Sequence, residues 1–183
     1  MEKNRLEAFS DGVLAIIITI MVLELKRPTG PQWNDLLVLT PVLLGYGLSF
    51  LYTAIYWVNH HLLFHKAKRI NVKILWCNIA WLFVMSFIPF TTEWIGSYPT
   101  AAVPVSVYFA DMFLACATYH YMYYLVAREN GNRCPFRLSP KNIASIVVYM
   151  LAALFGALCP YVAYAVVALV TIWWIIPEKK KVK

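Results

Sequence analysis

The stretch that decides the fold is Arg5–Leu25, RLEAFSDGVLAIIITIMVLEL. After Asp11 it runs through twelve residues with no charge before Glu24. A helix needs roughly 20 mostly apolar residues to cross about 30 Å of hydrocarbon, and this segment has that length. Lys26-Arg27-Pro28-Thr29-Gly30-Pro31 follows and ends it, because proline and glycine do not continue a helix. Glu2, Arg5, Glu7 and Asp11 break the pattern of a cleavable leader, and no small-residue cleavage site follows. The run is therefore expected to stay in the mature chain.

The same pattern recurs along the 183 residues. Further apolar runs span about 36–64, 72–94, 102–126, 142–158 and 161–176. The chain is 61% apolar and 14% charged, against roughly 45–50% and about 25% in soluble domains. The expected fold is all-α and integral to the membrane, one domain over 1–183 with six transmembrane helices. Loops this short cannot fold alone, and the excess of such runs excludes a soluble enzyme or binding module.

The formal net charge of +7 sets orientation rather than attracting nucleic acid. Of the 16 Lys and Arg, all but Lys26 and Arg27 fall in the N-terminus, the second and fourth connections, and the tail. Cytosolic loops carry the excess of Lys and Arg, so both termini are expected in the cytosol, which requires an even number of spans. Trp33, Trp94, Tyr98, Trp173 and Trp174 sit at run ends, where aromatic rings anchor at the interface. Cys77, Cys116, Cys134 and Cys159 form no C-x-x-C pair and read as small fillers, with Cys134 reduced. No internal repeat is evident, and no helix reads as interrupted, so the paired halves of a transporter are not signalled.

At about 100° per residue, Gly12, Ile16, Thr19 and Leu23 fall on one stripe about 60° wide. Ile20 lies at its edge and Asp11 about 100° away. Such a stripe can be ordinary packing or lipid contact. Arg5, Ser10 and Asp11 stand at the cytosolic mouth of this helix, and ionisable groups there usually face protein or water. His60, His61 and His65 have spacing that can hold a metal, but no carboxylate accompanies them in the second run. Asn59, Asn78, Asp111 and His120 are further polar groups in spans, expected to bond between helices or to support the first one. Gly45-Tyr46-Gly47 lacks the flanking residues of a carbonyl filter and reads as small-residue packing.

The string Arg5-x-x-x-Phe9-Ser10-Asp11-Gly12, with the apolar run behind it, resembles the first helix of the transmembrane protein 175 family of potassium channels. Tyr56-Trp57-Val58-Asn59-His60-His61 also looks like that family. Length and six spans resemble its single-repeat bacterial members over essentially the whole chain. The resemblance implies a homotetramer in the lipid bilayer of a prokaryotic plasma membrane, with four first helices lining the pore. It implies a constriction of branched aliphatic side chains at Ile16, with Leu23 one layer further out and Thr19 and Ile20 between. It implies supporting roles for Arg5, Phe9, Ser10, Asp11, Gly12, Trp57, His60 and His61, permeant potassium, no cofactor and no enzymatic activity. Two other readings are a small proton- or cation-conducting transporter using Asp11, Asp111 and His120, and a membrane enzyme with a metal at His60, His61 and His65.

Overall fold

The first helix, α1, covers Lys3–Leu23 of a computed structural model that describes residues 3–131 and 139–176. Among the described residues there is no strand. A single turn, α2 (Trp33–Leu37), precedes the long α3 (Thr40–Lys66), whose Pro41 sits in the first turn where its missing N–H costs nothing. Asn71 opens α4 (Val72–Met85) by accepting from the Ile74 amide at 3.0 Å. Then come α5 (Ile88–Ser97), α6 (Ala102–Glu129), α7 (Pro140–Phe155) and α8 (Pro160–Trp173). The basic residues Arg133 and Arg137, Cys134, and the tail from Pro177 onward lie outside the described residues.

The segments α1, α3, α4 with α5, and α6 are long and apolar enough to cross a membrane. The fifth and sixth runs form shorter apolar helices of 16 and 14 residues. One expectation is corrected: the third run is not a continuous helix. It breaks between Met85 and Ile88. Pro89 enters the first turn of α5 with no N–H to give the preceding turn. The Ser86 hydroxyl donates back to the Phe83 carbonyl at 2.6 Å, and such back-bonding bends helices. The second run is also divided, because α2 and α3 are separated at Val38–Leu39.

The core lies where α3, α4 and α6 meet, around fully buried Tyr52, Phe64, Trp81, Tyr108 and Phe109. The perimeter is the inverse of a soluble protein: Leu44, Leu158 and Leu169 are about two-thirds exposed or more, a surface suited to lipid. Gly45 of α3 and Gly96 of α5 let those helices approach closely. A methyl at Gly45 would stand 3.3 Å from Ile95, and one at Gly96 3.3 Å from the Val42 Cα. Gly45-Tyr46-Gly47 is thus helical packing surface inside α3. The basic segments gather at one end. Lys3 Nζ donates to the His65 carbonyl at 3.1 Å, and Asn130 Oδ1 accepts from the Lys68 and Arg69 amides.

Lys141 departs from the loop role its charge suggests, because it is buried in the first turn of α7. Its ammonium donates to the carbonyls of Trp173 and Ile176 at the end of α8, between the rings of Trp173 and Trp174. A cation there completes orphan carbonyls and opposes the helix dipole. The Trp173 carbonyl also accepts from the Ile176 amide at 3.2 Å, so Lys141→Met takes the charged donor from both carbonyls and should cost about 1–3 kcal/mol, read as a lower thermal midpoint of the purified protein in detergent. Lys141→Arg should recover most of it, and an unchanged midpoint in Lys141→Met would refute the staple.

Candidate functional site

Helix α1 has two opposite faces. Leu6, Ser10, Leu14, Ile17 and Met21 recur at steps of three and four and are all buried, against α3, α4 and α5. The other face is uncovered: Ile16 is 58% exposed, Ile20 40% and Leu23 79%, against 1% for Leu14 and 3% for Ile17. Gly12 and Thr19 are exposed on that same face, and no atom lies within 4 Å of where a Gly12 methyl would stand. The structure therefore brings Gly12, Ile16, Thr19 and Leu23 together along one open side. Arg5 and Phe9 are exposed too, and Arg5 forms no ion pair among the described residues.

The back of α1 is pinned by polar contacts. Asn78 Nδ2 of α4 donates to Ser10 Oγ at 2.9 Å, and Ser10 in turn donates to the Leu6 carbonyl. The Asn78 Oδ1 meets His60 Nε2 of α3 at 2.9 Å. An amide oxygen only accepts, so His60 carries its proton on Nε2. All three residues are at most 1% exposed, so each polar atom here requires its partner. The His60 ring stacks on Trp81, centroids 5.1 Å apart and planes 11° from parallel. Nearer the surface, Trp57 Nε1 of α3 donates to Asp11 Oδ1 at 2.8 Å. Asp11 thus points sideways from the open face, toward α3.

Thr19 donates to the Ile16 carbonyl at 2.9 Å. Its proton is held within the helix, so its oxygen presents lone pairs outward. Beside the open face lies a cleft of about 520 Å³ between α1 and the α4–α5 break, lined by Ile16, Ile20 and Glu24 on one side and Ser86, Phe90 and Glu93 on the other. Sequence reasoning did not single out Glu24 or Glu93. Their meeting depends on the break that places α5 against α1.

The groups of the other two readings are not brought together. Asp11 bonds Trp57, Asp111 bonds Thr91, and His120 Nδ1 bonds the Cys116 carbonyl, three separate sets of partners. His60 turns inward to Asn78, while His61 and His65 are exposed and stack on each other with centroids 6.0 Å apart. Among the described residues no three metal-ligating side chains cluster.

Fold and site define a polytopic α-helical membrane protein whose first helix is fastened behind and open in front. The model of the family described as endosomal/lysosomal potassium channel TMEM175 matches residues 5–89, the segment from Arg5 through the α4–α5 break. A potassium channel of Chryseobacterium sp. (strain P1-3) is 42% identical over 98% of this chain and 96% of its own length. Another, of Chamaesiphon minutus, is 41% identical over 63% of this chain and 61% of its own. The crystal structure of a lysosomal potassium-selective channel TMEM175 homolog from Chamaesiphon minutus matches with a TM-score of 0.83 at 27% identity, covering 95% of this chain and 96% of that one. The chain belongs to the TMEM175 potassium-channel family.

The anchors differ in depth, and their removal should differ in cost. Asn78→Leu strips partners from buried Ser10 and His60 and should destabilise by about 2–5 kcal/mol. Trp57→Phe removes one exposed hydrogen bond and should cost about 0.5–1.5 kcal/mol. Thermal unfolding of the two variants side by side checks the ranking, and equal midpoints would show that the buried chain does not hold α1.

Proposed function

We propose that four copies of this chain form a potassium-selective channel whose pore is lined by α1. The observation that carries this is the division of α1: Leu14 and Ile17 are packed, while Ile16 and Leu23 stand open. One helix with one open stripe cannot enclose a pathway, so the path belongs to an assembly with closed rotational symmetry. On this reading residues 1–183 are one six-span domain, with α2–α3 and α4–α5 each counting once. The excess of Lys and Arg in the N-terminus, the second and fourth connections and the tail supports both termini in the cytosol, and the bacterial relatives support a prokaryotic plasma membrane. The family membership supports potassium as the permeant ion, with no cofactor required.

The constriction is then a set of aliphatic rings. Ile16 and Leu23 are seven residues apart, about 10 Å along the axis, with Thr19 and Ile20 between. A narrow apolar passage excludes a fully hydrated ion and can close by dewetting. Potassium releases water more readily than sodium, so a partial-dehydration barrier favours potassium. Four Thr19 oxygens, their protons committed to Ile16 carbonyls, offer lone pairs midway through the dry stretch. Ser10 and Asn78 hold the opposite face, and Asp11 is occupied by Trp57, so neither is assigned to the ion.

Ile16→Asn should wet the narrowest ring, raise single-channel conductance several-fold and lower potassium preference. Thr19→Val should keep the passage narrow while lowering conductance through weaker ion occupancy. Reversal potentials and single-channel currents of the purified protein in bilayers, under opposed potassium and sodium gradients, test both. Unchanged conductance in Ile16→Asn would move the constriction to Ile20 or Leu23. A monomer or dimer as the conducting species, by mass measurement, would overturn the assembly.

A further inference from the structure

Away from α1, helices α3, α6, α7 and α8 enclose a small internal chamber with about 10 Å³ of free space. That admits about one water molecule. Several polar side chains reach its mostly apolar walls, and the hydrogens on a number of them can be followed one by one. His120 Nδ1 lies 2.7 Å from the Cys116 carbonyl. A carbonyl only accepts, so the ring proton is on Nδ1 and Nε2 is a bare acceptor. Nε2 is buried and has no hydrogen-bond partner. The Asn142 amide approaches the ring from α7 without completing a bond to Nε2.

Four of the neighbouring hydroxyls have no proton to spare. Tyr52 gives its proton to the Met112 carbonyl, Thr171 to Val167 and Ser145 to Lys141. With Thr171 committed, the 3.3 Å contact between Tyr149 and Thr171 uses the proton of Tyr149. None of these four hydroxyls can therefore donate to the imidazole nitrogen, and Ser145 Oγ already accepts from Trp174 Nε1 at 2.8 Å. An occupant must donate to Nε2, must be no larger than one heavy atom, and must be neutral, since no carboxylate lines the space. Those requirements describe water. An apolar guest leaves Nε2 unsatisfied at the full desolvation cost, and a metal ion would meet no anionic ligand.

We propose that this chamber is a binding site for a single water molecule, which donates to His120 Nε2 and to a hydroxyl oxygen of the α3–α7–α8 wall. Tyr119 lines the same space, and a phenol hydroxyl can donate to a water oxygen. The water then ties α6, through His120, to the short helices α7 and α8, which have little apolar length of their own to hold them. The site shares no residue with the open face of α1, so it stands whether or not α1 lines the pore.

The test uses the full-length protein in lipid nanodiscs, with histidine labelled at both ring nitrogens. Magnetic-resonance shifts should show His120 protonated at Nδ1, with Nε2 hydrogen-bonded and cross-relaxing with water protons. A structure at a resolution that shows ordered solvent should place one water within reach of Nε2. Tyr149→Phe keeps the imidazole and removes one acceptor, and should speed exchange of that water about tenfold, the scale of one hydrogen bond. His120→Phe should abolish the water peak. Direct contact of Asn142 or Tyr119 with Nε2 and no water signal would overturn the proposal. So would a chamber that keeps its water unchanged in both variants. If His120→Phe does not fold, Tyr149→Phe with the labelled wild type decides the matter alone.

Discussion

The structure depends on the chain Ser10–Asn78–His60, which fastens the back of α1 to α4 and α3. In lipid, apolar burial contributes little to holding helices together, because the tails are as apolar as a leucine. Specific polar contacts and close packing must set how each helix is turned. A helix as apolar as 13–23 could rotate about its axis with little change in solvation. Three buried groups that each require their partner remove that freedom. Rotating α1 by even one residue would part Ser10 from Asn78 and leave a buried amide donor without its partner. The open face is a consequence: with Leu14 and Ile17 held inward, Gly12, Ile16, Thr19 and Leu23 have nowhere else to point.

The same logic extends outward from the anchor. His60 stacks on Trp81, which packs against Tyr56 and Tyr119, and Tyr56 against Tyr52. These rings join α3, α4 and α6 into one unit. Thr92 of α5 donates to Ser49 of α3 at 2.7 Å, and Ser49 meets Tyr108 of α6 at 3.0 Å. Thr91 bonds Asp111 across the same junction. Small hydroxyl residues thus act as the adhesive between helices whose outer surfaces are plain hydrocarbon. The break at Ser86–Phe87 lets α5 leave the line of α4 and pass behind α1, which creates the cleft beside Ile16 and Ile20.

The all-helical class and the position of α1 were legible because they rest on run length and on a string that sits within about two turns of helix. The stripe Gly12–Ile16–Thr19–Leu23 was legible from periodicity, but its openness was not. Leu14 and Ile16 have equal hydrophobicity, and only the placement of Asn78, sixty-eight residues from Ser10, decides which is buried. The pairing of Asp11 with Trp57 was hidden for the same reason, although both residues were named. The break in the third run had a visible signal in Pro89. It was overridden by the continuity of the apolar residues around it, since proline is common in spans whose neighbours absorb the freed carbonyl. Lys141 read as a loop charge because charge counting ignores depth. Its burial comes from the α8 carbonyls that meet it, and nothing local in the sequence announces them.

Selectivity by aliphatic rings, as proposed for α1, places a particular demand on this architecture. A ring of carbonyls or carboxylates holds an ion by attraction and tolerates some looseness, because the attraction falls off gently with distance. A dewetting barrier depends steeply on radius, so the side chains that form it must be held to a fraction of an ångström. Ile16 is branched at Cβ and restricted to few rotamers in a helix, which fixes the side chain. The backbone beneath it must be fixed as well, and within a protomer the nearest rigid points are Ser10, Leu14 and Ile17 on the packed face. Such a channel therefore needs its strongest anchoring on the face that never meets the ion. That is where this chain places its buried hydrogen bonds, and it explains why Ser10 sits away from the proposed path.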